Sequence, residues 1–218
     1  MSDTKFILRS TLTSPYGRKV RIAAEVLGLS NRITRVDANT LDENDTLRSQ
    51  NPLGKMPCLL LADGTIIYDS RVIIEFLQEV AGSQCLIPAS GMARYRALTG
   101  AALADGITDA ALLMTYEERF RLPEARSDLW LSHQRGKIER GLVAFTQSLP
   151  DPTRTEIVSI GLSCALGYLD WRQPYAWRPQ FSVLAKWVEE FAANEPAFAC
   201  SHPPTPPNTQ YVGAKANG

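Results

Sequence analysis

Three short motifs in the first third of the 218-residue chain hold side chains and backbone groups able to do chemistry on a small peptide-like anion. The first is Ser14-Pro15, a Ser N-cap followed by Pro at the first helical position, which is a common helix start. A hydroxyl there lies among free backbone N–H groups at the positive end of the helix dipole. It could donate a hydrogen bond to a thiolate, favouring the charged form and lowering the thiol pKa, and the thiolate is the nucleophilic form. Arg18, one turn on, adds positive potential if it points inward. The second motif is Lys55-Met56-Pro57 ahead of an apolar run. Proline belongs at a strand start or edge, and a cis bond would turn the Met56 N–H and C=O outward to pair with an extended peptide; an ordinary trans proline is the plainer alternative. The third is Asp69-Ser70 at a helix start, by default a capping pair. There the Ser70 hydroxyl and nearby N–H groups suit a carboxylate, while Asp69 suits an ammonium. Lys55 could reach a second carboxylate.

The remaining inventory narrows the chemistry. Two histidines, His133 and His202, support a Ser-His-Asp arrangement poorly, and no Gly-rich phosphate loop follows a strand. Cys58, Cys85, Cys164 and Cys200 are scattered without CxxC or zinc-like spacing, so free thiols are expected and no metal site is read. A formal net charge of zero implies no bulk attraction to nucleic acid or membrane. The N-terminus shows no secretory pattern, and the apolar runs read as too short to span a bilayer.

Two patterns must position these motifs. Lys5 to Arg9, Arg32 to Val36, Cys58 to Ala62 and Thr65 to Tyr68 read as strands, the last two joined at Asp63-Gly64 as a two-residue hairpin. Pro15 to Leu27 is a helix with Val20, Ala23, Ala24 and Leu27 inward, ended by Gly28. A second helix from Asp69-Ser70 points Val72, Ile73, Phe76, Leu77 and Val80 at the core. A mixed four-stranded sheet faced by helices accommodates this order. Further on, only helices are expected. They are Met92 to Arg121 (core Leu98, Ala101, Ala102, Ala110, Leu113, Met114), Ser127 to Leu149 (Trp130, Ile138, Leu142, Phe145 inward), a buried Thr155 to Asp170, and Phe181 to Ala193. The implied division is an α/β domain over residues 1–82, a linker over 83–91, an all-helical domain over 92–200 and a mobile tail over 201–218.

Taken in order, Ser14-Pro15, Lys55-Met56-Pro57 and Asp69-Ser70 on this element string resemble the cytosolic glutathione S-transferases, closest to a bacterial serine-type subgroup with a TSP-aromatic-x-x-K start. CALGYLDWR (Cys164 to Arg172) is similar to the buried central helix of that family. The resemblance implies an N-terminal thioredoxin-like α/β domain and an all-α C-terminal domain. It implies glutathione as co-substrate, Ser14 as the catalytic hydroxyl, and Lys55, Met56, Pro57, Asp69 and Ser70 as glutathione-holding residues, with Thr11 and Ser10 as alternative hydroxyls. The γ-glutamyl end of glutathione carries the ammonium and carboxylate that Asp69-Ser70 suits. Tyr16, Met114, Tyr116 and Arg119 are candidate walls for an electrophilic second substrate, whereas Tyr168 and Trp171 read as core. A cytoplasmic homodimer without nucleic-acid or membrane partners follows by the same resemblance. Absence of cysteine from the first loop counts against thiol-transfer classes.

One departure stands out. The family's buried helix usually opens with Ser or Thr and places Asp three residues on, whereas Glu156 and Ser159 reverse that order. Thr153 with Glu156 offers a capping box slightly upstream. Three activities stay open: transfer of the glutathione thiolate to an electrophile; an interaction or regulatory module with little turnover; or a specialised isomerase, dehalogenase or ether-cleaving enzyme.

Overall fold

The computed structural model describes residues 5–205. Its first part is a four-stranded sheet in the order β2-β1-β3-β4. Strand β1 (Phe6–Arg9) is followed by helix α1 (Pro15–Val26) and β2 (Ile33–Val36), which pairs parallel to β1 with Leu8 opposite Arg35. A short α2 (Leu47–Gln50) precedes β3 (Cys58–Leu60), antiparallel to β1 with Leu8 opposite Leu59. Strand β4 (Ile66–Ile67) closes the edge against β3, and α3 (Ser70–Val80) returns across the sheet. Alternation along β1 buries Phe6 and Leu8 while Ile7 faces out, so one face meets Val20, Ile22, Ala23, Ile73 and Leu77 of the two helices. Each such large side chain taken from water stabilises the fold by about 1.5–3 kcal/mol.

The β3–β4 connection differs from the expected two-residue hairpin. Gly64 N donates to Leu61 O (3.1 Å) and Leu61 N to Thr65 O (2.8 Å), enclosing three residues. Gly64 sits at φ +87°, where a side chain is disfavoured, as a three-residue loop demands. The Asp63 carboxylate caps the turn by accepting from Thr65 N at 2.9 Å.

After the segment 81–90 the regular elements among the described residues are all helices. The long α4 (Gly91–Phe120) packs against α5 (Asp128–Gln147) and α6 (Ile157–Arg172), followed by α7 (Ser182–Asn194) and α8 (Pro196–Cys200). Gln78 of α3 pins the connecting segment: its amide accepts from Ile87 N (2.7 Å) and donates to Ile87 O (2.9 Å). Helix α6 is buried on nearly every side, including Ser159, Ser163 and Cys164. Ser163 tolerates this because its hydroxyl donates to Ile160 O at 3.0 Å within its own helix.

Several sequence expectations change. Val72 is exposed and Ile74 takes its place in the core, while Ala102 and Trp130 face outward. Each lies on the flank of an apolar stripe, where periodicity assigns sides least firmly. Helix α4 is long and apolar enough to cross a membrane by length and composition, contrary to the expectation that no apolar run is; here it is packed within the helical bundle. The reversed capping pair is real: Glu156 N donates to Ser159 Oγ at 2.8 Å, while Thr153 bonds Asp151 instead, so α6 starts at Ile157. The four cysteines are unpaired. Residues 206–218 of the expected tail lie outside the described residues.

Candidate functional site

The site begins where β1 runs into α1. Ser10 N donates to Val36 O (3.1 Å), continuing the parallel pairing one residue past the strand. Ser10 is fully buried, and its Oγ fills the space a side chain on Gly17 would need: a Cβ there would lie 1.9 Å from it. Glycine at 17 therefore lets the first turn of α1 sit directly on the strand end. Ser14 is the N-cap, its Oγ accepting from Gly17 N at 3.0 Å, with Pro15 opening the helix. Accepting that bond leaves the hydroxyl proton to donate elsewhere.

Ser14 lines a cavity of about 10 Å3 with Leu12, Arg18, Cys164, Tyr168 and Pro203. Arg18 does point inward, with its donors engaged by neutral groups: Nε donates to Ser201 Oγ (3.0 Å), a terminal nitrogen donates to Phe198 O (2.8 Å), and the guanidinium stacks on Phe198. Burial depresses the Arg18 pKa and raises that of Cys164 beneath it. Thr11 Oγ1 meets Thr13 Oγ1 at 3.0 Å and Met56 Sδ at 3.5 Å, which brings the first loop against the Met56-Pro57 turn.

That turn is built by a residue the sequence reading did not single out. Buried Asn51 accepts from Leu53 N (3.1 Å) and donates to Lys55 O (2.8 Å), while its carbonyl accepts from Gly54 N (2.8 Å). One side chain thereby fixes the loop that presents Lys55 and Met56. The Met56–Pro57 bond is cis, as is Tyr68–Asp69. The antiparallel ladder ends at the pair Arg9–Cys58, so Met56 lies beyond its last rung. Lys55 is exposed.

At the start of α3, Asp69 Oδ1 accepts from Arg71 N and Oδ2 from the Arg71 guanidinium, both at 3.0 Å. Partial burial alone would raise the Asp69 pKa. The Arg71 hydrogen bonds, with the charges of Arg71 and Lys19, outweigh it and hold the carboxyl below its ordinary range. Ser70 is buried in the first turn of the helix.

Two acidic residues one turn apart on α4, Asp105 and Asp109, face these elements from the helical half. Lys19 of α1 meets Asp105 Oδ1 at 2.5 Å in a pair almost wholly shielded from water. The Tyr16 hydroxyl donates to Asp109, and burial followed by the Asp109 charge pushes the Tyr16 pKa far up. Neither aspartate was singled out from sequence, although carboxylates four apart within the apolar run 101–114 are a readable signal. Tyr16 thus lies at the seam between the sheet and α4. Met114 is buried further along α4, and Tyr116 packs edge-on against Phe120 with Arg119 over its ring. None of these three lines the Ser14 cavity; Tyr168 does, while lying in the core as expected.

Ser14, the Met56-Pro57 turn and the Asp69-Ser70 helix start are thus assembled around one end of the sheet. The glutathione S-transferase N-terminal domain family model matches residues 13–80. The chain is 34% identical over 204 residues to the uncharacterized GST-like protein YibF of Escherichia coli K12, covering 90% of this chain and 98% of that protein. Among solved structures, a glutathione transferase family member from Pseudomonas fluorescens Pf-5 with bound glutathione superposes with a TM-score of 0.85 at 39% identity, covering 92% of this chain and all of that one. A Methylobacterium radiotolerans glutathione S-transferase in complex with glutathione sulfonate superposes at 0.84 with 34% identity, covering 96% of this chain and all of that one. With its fold, motifs and near-full-length relatives in agreement, the chain belongs to the glutathione S-transferase family.

Proposed function

We propose that the protein is a glutathione transferase that activates the glutathione thiol for attack on an electrophilic small molecule. The observation that carries this reading is Ser14, whose hydroxyl accepts from Gly17 N at the amino end of α1 and so keeps its own proton to donate. Of the four hydroxyls between residues 10 and 14, Ser10 is fully buried under Gly17, and those of Thr11 and Thr13 bond each other, Thr11 also meeting Met56. Ser14 is left to donate to a sulfur.

In this mechanism the backbone of Met56 pairs with the extended tripeptide, Pro57 fixing that turn. The Ser70 hydroxyl and the N-terminus of α3 take the γ-glutamyl carboxylate, Asp69 takes the ammonium, and Lys55 reaches the glycyl carboxylate. The thiol proton passes to water. The thiolate, held by the Ser14 O–H and the helix dipole, forms a carbon–sulfur bond, and the leaving group departs with its bonding electrons. Tyr16 borders the second-substrate side, with Met114, Tyr116 and Arg119 further along α4. A cytoplasmic homodimer fits the family; exposed Val72, Met92 and Tyr95 on α3 and α4 offer apolar surface for one.

Calorimetric titration with glutathione, followed by turnover against aryl halides and epoxides, tests the reading. Binding in the micromolar to millimolar range with turnover of at least one class is expected. Binding without any turnover would favour an interaction module, and no binding at millimolar glutathione would remove the transferase reading.

A further inference from the structure

Asp105 is half-satisfied. Its side chain is 5% exposed and Oδ1 takes Lys19, yet Oδ2 accepts no hydrogen bond from any described residue. The Arg71 Nε lies 3.7 Å from that oxygen, within ion-pair reach but beyond hydrogen-bond distance. Arg71 is committed instead to Asp69, through its main-chain N–H to Oδ1 and its guanidinium to Oδ2. The Arg71 guanidinium thus sits between two carboxylates, with a terminal nitrogen bonded to Asp69 and Nε still short of bonding distance to Asp105. The one that currently holds it is the one a ligand ammonium would need.

We propose that Arg71 is an exchangeable stand-in for the ligand's ammonium: when the γ-glutamyl ammonium of glutathione takes Asp69 Oδ2, the Arg71 guanidinium turns to Asp105 Oδ2 and bridges α3 to α4. This rests on the glutathione reading above. Three observations make the exchange favourable. The bond given up is between half-exposed groups, the Arg71 and Asp69 side chains being 58% and 52% exposed, where an ion pair is worth little. The bond gained completes a buried carboxylate that otherwise lacks a donor, which is the costlier omission. The movement is small, from 3.7 Å to an ordinary N–H···O separation of about 2.9 Å. Asp69 Oδ1 can keep its cap on Arg71 N throughout, so α3 need not fray.

The exchange makes Arg71 a positioning residue. Occupancy of the sheet half by glutathione becomes a new bond to α4, the helix that also holds Tyr16 through Asp109. The second-substrate side is then set by a contact that closes from a 3.7 Å ion pair to a hydrogen bond once the amine is in place.

The test is Nε–H spectroscopy of the full protein labelled with 15N-arginine, the Arg71 signal being assigned by its loss in Arg71→Gln. Glutathione and an analogue lacking the amine (a glutaryl group replacing γ-glutamyl) are titrated with calorimetry in parallel. Glutathione is expected to shift the Arg71 Nε–H signal downfield and slow its exchange with water at least tenfold. The analogue is expected to bind more weakly and leave the signal in place. Glutathione binding that leaves the signal unmoved, or equal shifts with both ligands, would overturn the exchange while leaving the glutathione reading intact. Calorimetry without glutathione binding would overturn both.

Discussion

Replacing Ser14 by alanine separates two roles that one hydroxyl performs. Losing the cap to Gly17 N should cost about 1 kcal/mol, a fall of about 2–4 °C in Tm for a chain of this size. Losing the donor to sulfur should raise the bound thiol's pKa by about one unit or more, equivalent to about 1.4 kcal/mol, and reduce turnover at neutral pH about tenfold or more. Glutathione affinity should change little, because the tripeptide is held by other groups. Ultraviolet thiolate absorbance across pH reads the shift, and an unchanged profile would move the role to Thr11 or to backbone N–H groups. Tyr16 gives a separate pH signature. Its pKa lies above its unfolded value near 10, raised first by burial and then by Asp109. Its contribution to stability is therefore complete below that value and lost as pH rises above it, because only the unfolded chain can then release the proton. Urea midpoints compared above pH 10 should decline less steeply for Tyr16→Phe than for the unmodified protein.

At the scale of elements, the β1–α1 junction depends on one absent side chain. Gly17→Ala places a Cβ 1.9 Å from Ser10 Oγ and 3.0 Å from its Cβ, against a strand end that cannot recede. Overpacking of this kind should cost about 1–3 kcal/mol and displace the Ser14 turn, lowering turnover as well as Tm. Adding Ser10→Ala removes the nearer clash and should recover part of the stability, which thermal melts of the single and double variants would measure. None of this is visible in the chain itself, where Gly17 reads only as one more residue of an amphipathic helix. What sequence does convey are groups whose conformational needs are local. Pro15 after a capping Ser, Gly28 after the last turn and Asp63-Gly64 between apolar runs each act within a few residues, and the structure places each in a cap or turn. The hairpin's loop length, the outward turn of Val72 and the use of Tyr168 as a cavity wall depend on partners far along the chain. Asn51 shows the boundary between these cases. Its hydrogen bonds here run to residues within 47–55, yet asparagine next to proline signals a turn without saying which groups the side chain will close.

The molecule as a whole is joined by a buried charge pair between its sheet-bearing and helical halves, and that pair allows stability and function to be separated. Lys19 and Asp105 are 1% and 5% exposed and 2.5 Å apart. Removing one partner leaves the other charge buried and should cost about 3–5 kcal/mol, whereas removing both in favour of apolar side chains of similar size is often close to neutral. Asp105→Leu alone should therefore be strongly destabilised, and Lys19→Met likewise. The double variant should recover most of the loss, giving a coupling of about 2 kcal/mol or more in urea titrations. Additive losses would mean that the pair contributes no net interaction and that each residue matters through packing alone. The restored double variant is then the informative protein for ligand binding. It folds without Asp105, so Arg71 keeps its hold on Asp69 and lacks the buried carboxylate 3.7 Å away that would accept its Nε. Glutathione should bind it more weakly than the unmodified protein, while the analogue without the amine should bind both alike. Equal weakening for both ligands would instead mean that Lys19 and Asp105 shape the site as a whole, independently of the amine.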